Sequence, residues 1–179
     1  MTAAAAAAAT RERIEQALAG VPHETPEQRD GLPTVVVDRA QLRPALEALK
    51  GAGFEAVTFV TAVDRLPRAP RFEVVHQLWS LSHNDRVRVI TRLEEADPAC
   101  PTCVDLWPGA RFMERECFDL LGIVFTGHDG LKRLLMPEEY EHHPLRKEFP
   151  HQGIEPDKLY RQWDAARRVR FEEQREGGA

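Results

Sequence analysis

Two cysteines three positions apart are the sharpest chemical signal in this 179-residue chain. Cys100 and Cys103 form a Cys-x-x-Cys pair, a spacing used in thiol–disulfide exchange and in half of many zinc sites. A zinc ion would need two more ligands, for which the sequence offers Cys117 and scattered histidines. A thiol–disulfide pair usually lies between a strand and a helix, whereas Asp-Pro at residues 97–98 predicts a loop. We therefore interpret both side chains as unreactive thiols, and keep a free-standing thiol oxidoreductase as an alternative.

Histidines give a weaker signal for metal binding or acid–base catalysis. His142 and His143 are adjacent, so on a regular element they point in different directions and do not readily hold one metal ion. We expect His143 to donate a hydrogen bond to a backbone carbonyl while Pro144 stiffens an extended segment. The chain has no Gly-rich phosphate loop, serine elbow or His-Glu zinc motif. The sequence therefore predicts no catalytic residue, no cofactor-binding residue and no metal ligand.

Charged residues are concentrated in "ERECFDLLG", residues 114–122. The pattern predicts a helix over residues 110–121 that ends at Gly122 in a left-handed cap. At 100° per residue, one stripe carries Met113, Cys117, Leu120 and Leu121, and the opposite side carries Arg111, Arg115 and Asp119. An exposed Arg115–Asp119 pair would contribute only about 0.2 to 0.5 kcal/mol. Two interpretations stay open from these residues alone, a solvated helix face and a docking surface.

Composition excludes several functional classes. The net charge is −5, with 42% hydrophobic and 30% charged residues, which indicates a globular protein and argues against nucleic-acid binding. No segment approaches the roughly 20 apolar residues of a membrane-spanning helix. "MTAAAAAAAT" lacks the features of a secretion signal, so we expect a chain that stays on the cytosolic side, is not inserted in the membrane and keeps its three cysteines reduced.

Hydrophobic periodicity predicts an α+β fold. Four strands are expected at about 34–38, 55–64, 71–81 and 86–94, in a mostly antiparallel sheet with one apolar face packed by helices. Helices are expected from a Thr10 cap to Gly20, from an Asp38 cap to Gly51, briefly before Pro108, over 110–121, and from 156 to about 174.

The organisation along the chain follows from these elements. We expect an N-terminal helix and loop at 1–33, an α+β domain at 34–122, and a long extended C-terminal tail at 123–179 that ends in a helix. Residues 123–151 have no sustained period, yet Leu131, Leu134, Leu135 and Met136 need burial. An irregular segment with apolar anchors is expected to lie along another surface.

Residues 114–150 also resemble the signature of a known family, the 30 kDa subunit of the proton-pumping NADH:quinone oxidoreductase, respiratory complex I. The matching positions are Glu114, Arg115, Glu116, Asp119, Gly122, Ile123, Phe125, Gly127, His128, Leu131, Arg133, Leu135, Met136, Pro137, His143, Pro144, Leu145, Arg146 and Lys147. The similarity extends over roughly residues 54–151. The chain departs from the family pattern at Met113, where an aromatic residue is common, and at the two cysteines of "CPTC".

The resemblance implies a scaffold subunit in the peripheral arm, on the cytoplasmic face of the bacterial inner membrane. Such subunits bind no cofactor, whereas the whole complex carries NADH, FMN, iron-sulfur clusters and quinone. The implied partner is the quinone-site subunit of the complex, with other peripheral-arm subunits. The charged triplet at 114–116 would then fix the helix to its own tail or to the quinone-site subunit through buried ion pairs.

One close alternative remains from the resemblance. The equivalent subunit of a membrane-bound [NiFe] hydrogenase, or of a related dehydrogenase complex, shares this module. Gene neighbours would separate the two, because NADH- and flavin-binding subunits favour complex I and a nickel-binding large subunit favours the hydrogenase.

Overall fold

The computed structural model describes residues 3–154, 161–162 and 164–169, and a four-stranded sheet forms its centre. The strands are β1 (Thr34–Val37), β2 (Ala56–Asp64), β3 (Phe72–Ser80) and β4 (Asp85–Leu93), in the order β1-β4-β3-β2. β1 runs parallel to β4, whereas the β4–β3 and β3–β2 pairs are antiparallel. The predicted α+β class, with a mostly antiparallel sheet of four strands, is confirmed.

Alternation along the strands decides which face of the sheet forms the core. Val74, His76, Leu78 and Ser80 on β3 are fully buried, as are Val87, Val89 and Thr91 on β4. The turn between these strands contains Asn84 with φ of 52°, a left-handed conformation that asparagine tolerates better than most residues. The sheet therefore has one fully covered face, as the sequence predicts.

Three helices cover this core. They are α1 (Ala3–Ala17), α2 (Arg39–Gly51) and α3 (Ala110–Leu121). α2 packs against β1 and β4 and buries Leu42, Ala45, Leu46 and Leu49, and α3 packs against β2. Asp38 has the expected extended conformation before α2, but its side chain makes no capping hydrogen bond, so that part of the prediction is wrong.

The predicted Thr10 cap of the first helix is also wrong, and of the two states expected for the alanine run, frayed or a loose helix, the structure has a helix. α1 begins at Ala3, because the alanine run has the highest intrinsic helix propensity and needs no cap at Thr10 to become helical. Thr10 lies inside the helix, where its hydroxyl donates a 2.7 Å hydrogen bond to Asp85 at the start of β4.

The short helix predicted before Pro108 is replaced by strand β5 (Ala99–Pro101), which pairs in parallel with β6 (Val124–Thr126). Sequence periodicity missed it because the pairing partner lies beyond α3.

Pro144 lies in a turn, so the extended segment predicted there is wrong. Residues 161–162 and 164–169 are helical, and the rest of the helix predicted over 156–174, including Leu159 and Trp163, lies outside the described residues. The domain division at residue 122 stays a prediction.

Candidate functional site

The charged helix α3 is bonded to the turn after β5 and to the long segment after β6, and each of its acidic residues behaves differently. Glu114 is fully buried and accepts hydrogen bonds from the Thr102 hydroxyl, at 2.5 Å, and from the backbone N–H of Cys103, at 2.8 Å. It thereby holds the turn after β5 against α3. Within the described residues Glu114 forms no ion pair with the tail, and a pair with the quinone-site subunit stays a prediction. Glu116 is exposed.

Arg115 connects α3 to the segment that follows β6. Its Nε donates to the carbonyl of Lys132 at 3.1 Å, and its Nη2 donates to that of Arg133 at 2.9 Å. The guanidinium carbon also lies 5.5 Å from the ring centroid of Phe112. The helix is thus fixed to its own tail through Arg115, with backbone carbonyls as the acceptors rather than the expected carboxylates.

Asp119 is the main anchor of that segment. Its carboxylate is fully buried and accepts a 2.7 Å hydrogen bond from Arg133. It also accepts hydrogen bonds of 2.6 to 2.9 Å from the three consecutive N–H groups of residues 134–136. Helical spacing predicted that Asp119 is exposed and can pair with Arg115. Both parts of that prediction are wrong. The tail covers this side of the helix, which sequence periodicity could not show.

The environment of Asp119 favours its charged form. Burial raises the pKa of a carboxyl group, but the N–H groups of Met136 and Leu135 and the Arg133 guanidinium together outweigh it. The pKa of Asp119 is therefore lower than its usual value. Acid should weaken this anchor only when the pH falls below the usual aspartate range.

The end of α3 is closed by the same segment. Gly122 has φ of 78°, which confirms the predicted left-handed cap. His143 Nδ1 contacts the Asp119 carbonyl at 2.9 Å, as predicted, and Arg146 Nε donates to the Leu121 carbonyl at 2.8 Å. The N–H of Leu145 donates to the Leu120 carbonyl at 3.0 Å. These bonds satisfy helix-end carbonyls that otherwise lack partners.

A second polar cluster ties the segment to the sheet. The N–H of Lys147 donates a 2.9 Å hydrogen bond to Asp64 at the end of β2, and Lys147 Nζ reaches the Leu66 carbonyl at 2.8 Å. Arg71 pairs with Asp64 at 2.7 Å and also with Glu148. Burial raises the pKa of Asp64, but the hydrogen bonds from Arg71, Lys147 and Leu66 outweigh burial and hold that pKa well below its usual range.

The remaining signature residues lie between these anchors. His128 contacts the Arg111 carbonyl through Nε2 at 3.2 Å, and Pro137 is half-buried, with its carbonyl accepting from Tyr140 N–H. Leu135, which was expected to need burial, is 62% exposed, and the signature residue Leu145 is 57% exposed. Phe112 on α3 is also 59% exposed. The clasp formed by α3 and residues 131–148 is thus held by polar bonds inside and presents large apolar side chains outside.

The cysteines show no sign of nucleophilic chemistry. All three are free thiols and all are buried. Burial raises the pKa of Cys117 to about 12, and it raises the pKa values of Cys100 and Cys103 well above the usual range, with further increases from nearby Glu114. A reactive cysteine needs the opposite environment, one that favours the thiolate.

A group of possible metal ligands was missed by sequence motifs. His76 on β3, Cys103 after β5 and Glu114 on α3 place ligand atoms within 4.8 Å of one another, and all three residues are buried. Burial lowers the pKa of His76 to about 4, so its ring is neutral at pH 7. The sequence feature that could have pointed to this group was His76, a histidine on the inward-facing side of a strand.

Comparison with known proteins gives a consistent match. The family described as respiratory-chain NADH dehydrogenase, 30 kDa subunit, matches residues 35–155. An NADH-quinone oxidoreductase subunit of Roseiflexus sp. (strain RS-1) is 47% identical over 97 residues, which cover 54% of this chain and 56% of that protein. NADH-quinone oxidoreductase subunit 5 of Thermus thermophilus is 40% identical over 125 residues, which cover 65% of this chain and 60% of that protein. The chain thus spans little more than half the length of these relatives.

Two solved structures share the fold. One is the Nqo5 trypsin-resistant fragment 1–134, with a TM-score of 0.60 and 36% identity, covering 68% of this chain and 98% of the fragment. The other is a chain of the membrane-bound sulfane sulfur reductase, an archaeal respiratory membrane complex. It has a TM-score of 0.69 and 26% identity, and the match covers 80% of this chain and 86% of that chain. Among the described residues of the present chain, none of the helices has the length and apolar character required to cross a bilayer.

Proposed function

This chain belongs to the family of the 30 kDa subunit of respiratory-chain NADH dehydrogenase, and from that premise we propose that it is the 30 kDa subunit of a proton-translocating NADH:quinone oxidoreductase. Its role is structural. It supports the quinone-site subunit in the peripheral arm, at the cytoplasmic face of the bacterial inner membrane. The other subunits of the complex bind NADH, FMN, the iron-sulfur clusters and quinone, and this chain performs no catalytic step itself.

The observation that carries this proposal is the way the clasp presents Leu135. The N–H groups of residues 134–136 all converge on Asp119, so the backbone there has a fixed position while the Leu135 side chain stays 62% exposed. A large apolar side chain on a fixed backbone is well placed for binding, because little backbone conformational entropy is lost when a partner covers it.

The surroundings of Leu135 fit a protein partner. Phe112 is exposed on α3, and Arg115 packs over its ring while bonding the tail. Aromatic residues and arginine are enriched in protein interfaces. A stable interface removes about 800 Å² from each partner, which requires that α3 and the segment after β6 contribute together. The signature residues that anchor the clasp would then act indirectly, by fixing the surface that the quinone-site subunit contacts.

A second candidate is the equivalent subunit of a related respiratory membrane complex, such as a membrane-bound [NiFe] hydrogenase. The similarity to a chain of the sulfane sulfur reductase complex favours this class, and the same clasp would serve a homologous partner. The third alternative, a thiol oxidoreductase, is disfavoured because the cysteines are buried with raised pKa values.

Copurification tests the proposal directly. The tagged chain, expressed in its own host and recovered from solubilised membranes, should bring down the quinone-site subunit and the NADH- and flavin-binding subunits. Leu135→Lys should reduce that recovery strongly. Leu81→Lys is the matched control, because Leu81 is 56% exposed in the β3–β4 turn and its substitution should leave recovery unchanged. Equal recovery with both variants would remove the docking role of the clasp, and recovery of a nickel-binding subunit would select the second candidate.

A further inference from the structure

Three buried side chains from separate elements meet inside the core. His76 comes from the middle of β3, Cys103 follows β5, and Glu114 lies on α3, and their ligand atoms lie within 4.8 Å of one another. All three are fully buried, so none of them is exposed on the surface of the clasp, although Glu114 lies on α3. Nitrogen, sulfur and carboxylate oxygen are the three ligand types that zinc binds in proteins.

His76 lacks the partners that a buried imidazole normally has. Neither ring nitrogen has a hydrogen-bond partner in the part of the chain that the structure describes, although the residue is fully buried. Buried polar atoms are nearly always bonded, and an unbonded one calls for an explanation such as an ion or a water molecule. Both ring nitrogens of His76 are unbonded among the described residues, and His76 lies beside Cys103 and Glu114.

Glu114 also calls for an explanation, because it is a buried acidic residue with no cation beside it among the described residues. Its carboxylate is fully buried, and no cation pairs with it across residues 3–154 and the described part of the terminal helix. Buried charges in proteins are paired or coordinate metals. The bonds that Glu114 does accept, from Thr102 and from Cys103 N–H, resemble the outer hydrogen bonds that orient metal-binding carboxylates.

We propose that His76, Cys103 and Glu114 bind one divalent transition-metal ion of the zinc class. On binding, the Cys103 S–H bond breaks, a sulfur–metal bond forms and the proton leaves to solvent. The two charges of the ion then balance one thiolate and one carboxylate beside a neutral imidazole. A site of zero net charge suits a buried position, and no electron is transferred.

Metal binding requires the three ligand atoms to move slightly closer together. Zinc ligands at about 2.0 to 2.3 Å in a tetrahedral site are roughly 3.3 to 3.8 Å apart, so ligand atoms that lie within 4.8 Å of one another need to approach by at most about 1.5 Å through side-chain rotation. A water molecule fills the fourth position. The Thr91 hydroxyl also has no hydrogen-bond partner among the described residues, and Thr91 lies on the same sheet face, two residues along β4 from the residue opposite His76.

Metal content of the purified full chain tests the site. After incubation with Zn²⁺ and removal of free ion, elemental analysis should give about one zinc per chain for the wild type and for Cys100→Ser. Cys103→Ser should lose it. This pair is matched, because both residues are buried free thiols in the same Cys-x-x-Cys motif, and only Cys103 belongs to the group with Glu114. Circular dichroism checks that both variants are folded.

A measurement on the unmodified chain keeps the proposal testable if Cys103→Ser does not fold. X-ray absorption of the zinc-loaded protein should show one sulfur at about 2.3 Å and three nitrogen or oxygen neighbours at about 2.0 Å. Two sulfur neighbours, or loss of zinc in Cys100→Ser, would assign the ion to the cysteine pair and overturn the site. A wild-type chain that retains no more zinc than Cys103→Ser would overturn it as well. These measurements do not depend on copurification with the quinone-site subunit, so failure of the metal site and failure of the proposed function can be told apart.

Discussion

The backbone N–H of Lys147 donates a 2.9 Å hydrogen bond to the buried carboxylate of Asp64, 83 residues earlier in the chain. Asp64 closes strand β2, so this bond fixes the C-terminal segment against the central sheet. The segment thus makes its contacts with its own domain through residues of this chain. The hydrogen bonds to Asp119 and Asp64 hold the segment from inside, and its exposed apolar side chains, Leu135 and Leu145, are available for a neighbour to cover.

Asp119→Asn should destabilise the isolated chain by about 3 kcal/mol, because the amide group cannot accept hydrogen bonds from four donors as the carboxylate does. Urea unfolding at pH 7 measures the change. Glu116→Gln on the same helix is the control, since Glu116 is exposed and its substitution should change stability by less than about 0.5 kcal/mol. Similar values for both variants would contradict the anchoring role of Asp119.

Gly122→Ala should destabilise the chain by about 1 to 3 kcal/mol and loosen the tail. A Cβ at this position would lie 2.7 Å from His143 Nε2 and would also collide with Arg146, and its φ of 78° is unfavourable for residues with a side chain. Gly109→Ala is the matched control, because Gly109 has φ of −62° and open space around it. Thermal unfolding of both variants compares them, and a harmless Gly122→Ala would mean that the helix end tolerates a side chain.

Asp64 should contribute a distinct part of the acid sensitivity. Its folded-state pKa lies well below the usual value of about 3.9, so the unfolded state binds more protons in acid. The contribution is complete above about pH 3.9 and disappears as the pH falls through the folded-state pKa. Asp64→Asn should therefore be less stable than the wild type at pH 7, with a smaller loss between about pH 5 and pH 2. Parallel acid profiles for the two proteins would exclude this linkage.

His143 should act in a higher pH range. Burial lowers its pKa, the hydrogen bond to the Asp119 carbonyl opposes that effect, and Arg146 and Arg133 lower it further, with a net decrease. Its contribution to stability is complete above the unfolded-state pKa of about 6.5 and is lost as the pH falls below it, by at most about 1.4 kcal/mol per pH unit. His143→Asn should reduce the loss of stability between pH 7.5 and pH 5.5, measured by urea unfolding. His151→Asn, at an exposed position, should keep the wild-type profile.

Arg115→Ala should reduce the amount of assembled complex more than the turnover of each assembled complex. The substitution removes two hydrogen bonds to the carbonyls of residues 132–133 and the contact with Phe112, so the proposed docking surface loses its fixed shape. Native gels measure assembly, and NADH:quinone activity per assembled complex measures turnover. Arg88→Ala, which removes a pair between β4 and Asp30 in the loop before β1, is the control. Normal assembly with lost turnover would make Arg115 catalytic instead.

Local patterns in the sequence determined most of the fold. Alternation in 71–81 and 86–94 identified β3, β4 and their buried face, and the glycine after an apolar stripe identified the end of α3. Spacing over residues 114–150 also identified the family. These features are local because the periods of strands and helices, and the left-handed cap at Gly122, are set by residues close in sequence.

The tertiary structure alone decided which charged side chains are buried and what they bond. Helical spacing put Asp119 on an outer face, and only the return of residues 133–136 turned that face into a buried site. The β5–β6 pair and the meeting of His76, Cys103 and Glu114 depend in the same way on segments far apart in the chain. Hydrogen bonding and metal coordination act over about 3 Å in space, so sequence separation carries little information about them.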